Sequence, residues 1–280
     1  MNNQQTVLRF LIALLMISGI GKATFAGAGA FGDLFTAGAL VAGGNCDGLW
    51  AGRVVALIGN PAHAVWGDRW SAGGGYRQLY GVDALQRTWA GGKYRRNHWG
   101  VGVAISQFGK RDFYTETVTA ICLGLRIRRN VAVGVNLDHL QLAYTPDMPN
   151  YAGWAAGLGI IFQPQEQIIV TGAIGEALNS DFIADYRLPG RYQLSGMYSV
   201  SAEIQLGASW TKKECDGDLV GLGQRLGLVR HLYFLSAVYF NPARYALGAE
   251  IILRGQSVFY TYLSHPDLGG THYVEFAMGQ

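Results

Sequence analysis

Apolar side chains alternate with small or polar ones along most of this chain, and this alternation limits the possible folds more than any other feature. In the segment 99–105 the apolar positions are Trp99, Val101, Val103 and Ile105, with Gly or Ala between them. The same pattern recurs in the segments 117–127, 131–137, 154–162, 192–200 and 245–253. Successive side chains of a β-strand point to opposite faces, so each segment is predicted to be a strand with one apolar face. The sequence therefore predicts an all-β fold.

Composition distinguishes two kinds of all-β protein, a soluble sandwich and a transmembrane antiparallel β-barrel. Of 280 residues 40 are Gly, about twice the usual share of ~7%, and charged residues make up only 15%. A solvent-facing strand surface rarely carries so much Gly, because Gly weakens strands without packing. A lumen that holds other chain segments tolerates small residues, which favours the barrel over the sandwich. Aromatic residues near strand ends are predicted to mark its interfaces: Trp99, Tyr144, Trp154, Tyr192, Tyr245 and Tyr273.

The number of alternating segments predicts about fourteen strands in the region 70–280. They are expected to begin near Trp70, Ala84, Trp99, Tyr114, Val131, Tyr151, Gln167, Arg191, Ile204, Leu219, His231, Arg244, Gln256 and Thr271. An even number is what bacterial single-chain barrels require, although twelve strands remain an alternative. Short turns are predicted on the periplasmic side, at 129–130, 164–166, 201–203 and 241–243. Longer connections are predicted on the extracellular side.

The first 28 residues have the pattern of a secretory signal peptide. A polar stretch ending in Arg9 precedes an apolar run at 10–20, and small residues at 26–28 offer a cleavage site. The apolar run is shorter than the ~20 residues of a membrane-spanning helix. We therefore expect residues 1–28 to direct export, and we expect the mature chain in the cell outer membrane.

Residues 29–69 lie between the signal peptide and the first strand. Within them, the segment 51–65 is predicted to form a short helix followed by an Asn-Pro turn. The segment is too apolar for a free tail, so we expect it to fold into the barrel lumen as a plug, called the hatch below. An extra strand or a disordered linker is the alternative.

Two motifs carry a resemblance to a known family. The turn Asn60-Pro61-Ala62 after an Ala-rich helix resembles the hatch motif of the FadL-type outer-membrane β-barrel superfamily. The segment 265–272 resembles the last loop of the PorV/PorQ branch. The resemblance implies a fourteen-stranded barrel with an N-terminal plug. It implies either passage of hydrophobic or amphipathic small molecules, or a non-enzymatic role in type IX protein secretion through cargo binding. The chain departs from the family in being shorter and in lacking a terminal aromatic residue.

The sequence shows no pattern of a catalytic, metal or cofactor site. The six His residues have no paired spacing of the kind that binds zinc, and no Ser has a His at a spacing that predicts contact. Scattered Lys and Arg with a net charge of +3 give no basic stripe for nucleic acid. We therefore expect a protein that is not an enzyme and needs no cofactor. The expected partners are outer-membrane lipid and either a hydrophobic small molecule or a secreted protein, with a monomeric barrel.

Charged residues at inward positions of the predicted strands are the candidate site residues. Continued alternation places these side chains in the lumen: Glu116, Arg126, Arg128, Glu203, Glu250 and Arg254. They either pair with one another and with the hatch, or bind the head group of an amphipathic ligand. Unpaired charge in a narrow lumen is costly, which favours pairing. Cys46 and Cys122 are near enough in this scheme for a disulfide, and Cys215 is expected to be free in a loop.

Overall fold

The computed structural model describes residues 37–51, 53–110, 113–144, 150–179, 188–214 and 217–280. In it, fourteen strands form a closed antiparallel barrel in which each strand pairs with its neighbours in sequence and β1 pairs with β14. The strands are β1 Trp70–Gln78, β2 Gln86–Arg96, β3 Trp99–Lys110, β4 Tyr114–Arg128, β5 Val131–Ala143, β6 Tyr151–Gln165, β7 Ile168–Asn179, β8 Arg191–Ser199, β9 Ile204–Lys213, β10 Asp218–Val229, β11 Leu232–Phe240, β12 Arg244–Leu253, β13 Gln256–His265 and β14 Gly269–Gly279.

The strand alternation gives the barrel an apolar outer surface. On β4, Leu123 and Leu125 are 55% and 52% exposed, whereas Gly124 between them is buried on the inner side. Large apolar side chains are exposed in the same way on most other strands. Soluble monomers rarely expose apolar surface of this extent, so the outer wall suits lipid. Among the predicted interfacial aromatics, Tyr273 is an exception: it points inward and packs against Gly38, and is buried.

A charge placed on this outer surface is expected to be costly in proportion to its depth. Ile121 lies halfway along β4, between Val103 and Leu137 of the neighbouring strands. We expect Ile121→Arg to lower the free energy of unfolding in lipid vesicles by ~2–4 kcal/mol. Leu125 is nearer the strand end, opposite Trp99, so Leu125→Arg is the matched control with a smaller expected loss. Equal losses in urea titrations of the two variants would contradict this placement of the membrane.

The connections differ between the two ends of the barrel. The end at which β1 begins, called the exit end below, has short turns, of which 97–98, 129–130 and 230–231 are examples. The other end, called the mouth, carries the longer connections, including 144–150 and 180–190. The predicted short turns lie at the exit end except 241–243, which follows β11 and therefore lies at the mouth. That prediction was wrong because the length of a turn does not show at which end of the barrel the turn lies.

The hatch lies inside the barrel. It contains helix α1 (Gly38–Ala42), a first 3-10 helix (Asp47–Trp50), helix α2 (Val54–Gly59) and a second 3-10 helix (Pro61–Ala64). Nearly all of its described residues are buried, and Trp50 packs edge-on against Phe259 of β13 with ring centroids 5.4 Å apart. The helix and Asn-Pro turn predicted in 51–65 are therefore present as α2 and the second 3-10 helix.

Two sequence predictions fall outside the described residues. The signal peptide at 1–28 and Cys215 are not among the residues described, and both assignments stay predictions. None of the helices in the described part of the chain is long and apolar enough to cross a membrane.

Candidate functional site

A row of four glycines forms the seat of the hatch on the barrel wall. Gly100, Gly124, Gly134 and Gly159 pair across β3, β4, β5 and β6, so they lie side by side. A Cβ added to Gly124 would lie 2.9 Å from the backbone nitrogen of Val65. At the other three positions it would collide with Ala64, Ala62 or Asn60. The inward glycines are there because only a residue without a side chain lets the hatch backbone lie directly on the wall.

Asn60, Pro61 and Ala62 form the turn that rests on this row. The side-chain oxygen of Asn60 accepts a hydrogen bond from the Ala62 backbone nitrogen at 3.0 Å and so caps the second 3-10 helix. Its side-chain nitrogen donates to the carbonyls of Ile160 on β6 and Gly172 on β7, both at 3.1 Å. Pro61 supplies a fixed φ at the first helical position, where no N–H is needed. Asn60 is fully buried and joins the hatch to two strands of the wall.

A buried polar network holds the middle of the hatch, and the sequence patterns did not reveal it. Asp47 accepts hydrogen bonds at 2.5 Å from the hydroxyls of Thr171 on β7 and Ser195 on β8, and its second oxygen lies 3.2 Å from His63 Nε2. Burial opposes ionisation of Asp47, but the hydrogen bonds and the attraction of His63 outweigh it and lower its pKa. The carboxylate therefore ties both 3-10 helices to the wall. In the sequence, the signal for this network is Asp47 itself, a charged residue in the otherwise uncharged stretch 37–51.

Two further wall residues anchor the ends of the hatch. Glu275 on β14 accepts hydrogen bonds from the backbone nitrogens of Gly38 at 2.6 Å and Ala39 at 2.9 Å, which begin α1. Lys93 on β2 donates to the carbonyl of His63 at 2.9 Å and to that of Trp66. Each side chain satisfies backbone groups that a helix end leaves unpaired. Both lie at inward positions of their strands. The alternation of side chains along β2 and β14 could therefore have identified them as lumen residues.

Glu250 forms the centre of a buried charge cluster. It is completely buried on β12, where it pairs with Arg53 of the hatch and accepts a hydrogen bond from Arg225 Nε on β10 at 2.8 Å. The Arg225 guanidinium also lies 3.6 Å from the ring centroid of Tyr233. Two arginines thus share one carboxylate between hatch and wall.

Glu116 and Arg126, two of the other predicted inward charges, also have protein partners. Glu116 lies 3.1 Å from Arg87 and accepts a hydrogen bond from the Tyr114 hydroxyl at 2.5 Å. Arg126 lies over the Trp66 ring at 4.9 Å and donates to the Val65 carbonyl at 3.4 Å. Glu116 therefore belongs to the wall near the mouth, and Arg126 to the hatch contact near the exit end.

The structure places three of the predicted lumen charges outside the lumen. Arg254 follows the last residue of β12, has φ +52° in the turn and is exposed. Arg128 lies beyond a bulge in β4, and Glu203 lies in the turn before β9; both are exposed. The prediction was wrong for these residues because alternation was continued past the ends of the regular strand pairing.

The two described cysteines are not joined. Cys46 packs beside Gly207 and donates to the Gly196 carbonyl at 3.3 Å, whereas Cys122 packs with Leu57 on another side of the lumen. Both are free thiols, so the disulfide considered from the sequence does not form. Burial raises the pKa of the Cys46 thiol to about 12, which keeps it protonated.

A pocket lies between the hatch and the wall of β3–β8. The space between atoms there is about 460 Å³ when the open solvent at its entrance is counted with it. Leu57, Ile58 and Pro61 of the hatch form one side. The wall contributes six small or apolar residues and four polar ones: Ala104, Ala120, Cys122, Leu158, Ala173, Ile174, Asn136, Asp138, Glu176 and Arg191. A concave, mostly apolar pocket with a few convergent polar groups is the usual form of a small-molecule site.

The wall is irregular beside this pocket. Ala156 pairs with Leu178 and Leu158 pairs with Ile174, so two residues of β6 span four residues of β7. The bulged Glu176 has φ +55°, is buried and lies 3.7 Å from Arg191. Bulges of this kind are frequent next to functional sites.

An apolar cluster lies between the pocket and the mouth. Val118, Leu140 and Leu142 are buried there at inward positions of β4 and β5. Tyr144 lies at its edge, with ring centroids 5.5 Å from Tyr114 and 6.4 Å from Tyr151. One side of the lumen is therefore lined by apolar and aromatic side chains from the mouth down to the pocket, next to the Arg87–Glu116 pair.

Comparisons with known proteins agree on the fold. No protein-family model and no curated protein matches the chain. The toluene transporter TbuX of Ralstonia pickettii is similar in structure, with a TM-score of 0.61 and 9% identity over 80% of this chain and 93% of that one. A FadL homologue of Pseudomonas aeruginosa gives a TM-score of 0.62 and 10% identity over 87% and 98%. The monoaromatic hydrocarbon channel CymD gives a TM-score of 0.56 and 11% identity over 94% and 95%. At these identities the likeness shows a shared fold.

Proposed function

We propose that this protein lets small hydrophobic or amphipathic molecules pass the bacterial outer membrane, and that the pocket beside the hatch is the binding step on their way. The pocket is the observation that carries the proposal. On β4 the pocket residue Ala120 adjoins Val118 of the apolar cluster toward the mouth, so this side of the path exposes no polar side chain that would have to lose water. The names of the similar structures, which are transporters or channels for toluene and monoaromatic hydrocarbons, support the same substrate class.

The proposed location is the outer membrane, with the exit end facing the periplasm. The apolar outer wall supports insertion in lipid, and short turns are typical of the periplasmic side of such barrels. Export through the predicted signal peptide and a monomeric barrel are parts of the same proposal. Passage beyond the pocket requires α2 and the second 3-10 helix to move, because both are buried against the wall.

The lumen charges have a structural role in this proposal. Glu250 is enclosed by two arginines, and Glu116 is paired with Arg87, so neither carboxylate is open to a ligand head group. Arg126 holds the hatch backbone. A second role, cargo binding in type IX secretion, has no feature of the described residues in its favour, so we propose passage alone.

Filling the pocket is expected to impair passage. Ala120 is a buried pocket residue of β4, and the next residue, Ile121, points outward to lipid. We expect Ala120→Phe to lower uptake of labelled toluene by a Gram-negative host about tenfold, which corresponds to a loss of about 1.4 kcal/mol in binding. Ile121→Phe adds the same ring outside the barrel and should leave uptake unchanged. If both variants fold and take up toluene equally, the pocket is not on the route.

A further inference from the structure

The exit end carries an uneven distribution of charge. Six arginines lie at neighbouring points of its circumference, before β1, at the ends of β2 and β4 and in the turn after β4; we call them the basic rim: Arg69, Arg95, Arg96, Arg126, Arg128 and Arg129. Elsewhere on this end, the turns after β6 and β8 carry Glu166 and Glu203, and the turns after β10 and β12 carry one arginine each, Arg230 and Arg254. The positive charge is therefore concentrated on one side of this end.

Backbone contacts show that the chain segments of the basic rim are adjacent. The backbone nitrogen of Arg95 donates to the Arg69 carbonyl at 2.7 Å, and that of Arg126 donates to the His98 carbonyl at 2.7 Å. Three chain segments thus lie side by side. Within their described residues 67–70, 93–99 and 126–131, Asp68 is the one acidic residue.

The arginines of the basic rim differ in their contacts within the protein: Arg69 donates to the Tyr94 hydroxyl at 3.3 Å and Arg126 to the Val65 carbonyl at 3.4 Å. Arg96, Arg128 and Arg129 are exposed, and among the described residues their side chains have no hydrogen-bond or ion-pair partner. Arg95 and Arg126 have buried Nε atoms, and Arg126 is held by the Val65 carbonyl, so these two add positive charge behind the exposed arginines and do not contribute free donors. Guanidinium groups bind phosphate through paired N–H donors, so the surface has unused donors of the kind that phosphate requires.

The outer wall directly beside the basic rim is apolar. Tyr94, Trp99 and Ile127 point outward there, and they are 39%, 48% and 58% exposed. A lipid whose acyl chains lie on these side chains would bring its phosphate to the level of the arginines. An aromatic and apolar band next to a basic cluster is typical of contact with anionic lipid.

We propose that the basic rim binds the phosphate groups of anionic glycerophospholipids in the membrane leaflet at the exit end. The lipid phosphate supplies the acceptors that the arginines lack in the protein, and the apolar wall receives the chains. The site is independent of the molecules that pass through the lumen, so it can be tested whether or not the protein is a transporter.

The test compares phosphatidylglycerol with phosphatidylcholine on the full-length protein. Retention of each lipid is measured by native mass spectrometry of the detergent-solubilised barrel, for wild type, for Arg96→Gln/Arg128→Gln and for Arg230→Gln/Arg254→Gln. The second pair is the matched control, because Arg230 and Arg254 are exposed turn residues at the same end but outside the basic rim. Heat-modifiable migration in gels checks that each variant is folded.

We expect wild type to prefer phosphatidylglycerol and Arg96→Gln/Arg128→Gln to lose about fivefold in affinity for each charge removed, with phosphatidylcholine unaffected. The control pair should lose clearly less. Equal loss in both pairs would show a general effect of net charge and overturn the proposal, as would a wild type without preference for phosphatidylglycerol. The same measurement with lipid A tests whether the phosphate comes from the outer leaflet instead. If the substitutions weaken the binding of lipid A and not that of phosphatidylglycerol, the proposal is wrong.

Discussion

A disulfide between positions 64 and 124 is expected to reduce toluene uptake to the level of cells without the protein. The Cβ of Ala64 lies 3.2 Å from the position of a Cβ on Gly124, and that added Cβ lies 2.9 Å from the Val65 nitrogen. A shift of the hatch backbone by a few tenths of an ångström away from the wall relieves the second contact and brings Ala64→Cys/Gly124→Cys to the ~3.5–4.5 Å of a disulfide. The bond would hold the second 3-10 helix on the glycine row, next to the pocket. Uptake is measured in oxidised cells and again after a reductant, which should restore it in the same variant.

The 64–124 disulfide has a matched control, a disulfide in the first half of the hatch. The Cβ of Ala42 lies 3.1 Å from a Cβ placed on Gly248, so Ala42→Cys/Gly248→Cys ties α1 to β12, away from the pocket. We expect this second disulfide to reduce uptake less. The native cysteines are first replaced by Ala, because Cys122 packs with Ala64 and would compete for pairing. If uptake by the oxidised 64–124 variant is unchanged, the second 3-10 helix does not have to move during passage. The bulge between β6 and β7 would then be the next candidate for the route.

Removing the Glu250 carboxylate is expected to cost about 3–5 kcal/mol of unfolding free energy, because it leaves Arg53 and Arg225 without their shared partner inside the lumen. The expected measurement is a large drop in the urea midpoint of Glu250→Ala in lipid vesicles. Glu203→Ala, in an exposed turn at the exit end, is the control and should change stability little.

A double-mutant cycle separates pairing from a ligand role for the same carboxylate. Arg225→Met combined with Glu250→Leu should cost less than the sum of the single changes, since the double variant removes both members of one buried pair. The expected coupling energy is about 1–3 kcal/mol. Additive losses would instead favour the alternative reading from the sequence, in which Glu250 binds the head group of a ligand.

Much of the barrel could be predicted from the sequence because a period of two reports strand faces directly. Trp70, Trp99, Tyr114 and Val131 begin strands as predicted, because the preceding turns contain short polar runs. The errors lie where periodicity carries no information. Periodicity does not show where a strand ends, which is why Arg254 was misplaced. It also does not show toward which end of the barrel a strand runs, which is why the turn 241–243 was placed at the wrong end.

The anchors of the hatch could not be predicted in the same way. Glu275 and Gly38 are 237 positions apart, and Asp47 is 124 positions from Thr171. The local pattern identifies which residues point inward. It does not show which atom of the hatch each of them contacts, because that depends on how the hatch folds inside the closed barrel. The bulge in β7 was also missed, since Gly175 and Glu176 have no local signal that distinguishes them from a regular strand.

The glycine row has a consequence for how fast the hatch can leave its seat. Interlocked side chains must change rotamer before two surfaces separate, and close-packed interfaces resist such motion. Here Asn60–Val65 meets bare backbone on four neighbouring strands, so its detachment meets no such steric lock. The barrier then depends on a few hydrogen bonds, namely those of Asn60 to β6 and β7, those of Lys93 and Arg126 to the hatch carbonyls, and that of His63 to Asp47. The opening rate of this gate should therefore be adjustable one hydrogen bond at a time, without altering the shape of the barrel.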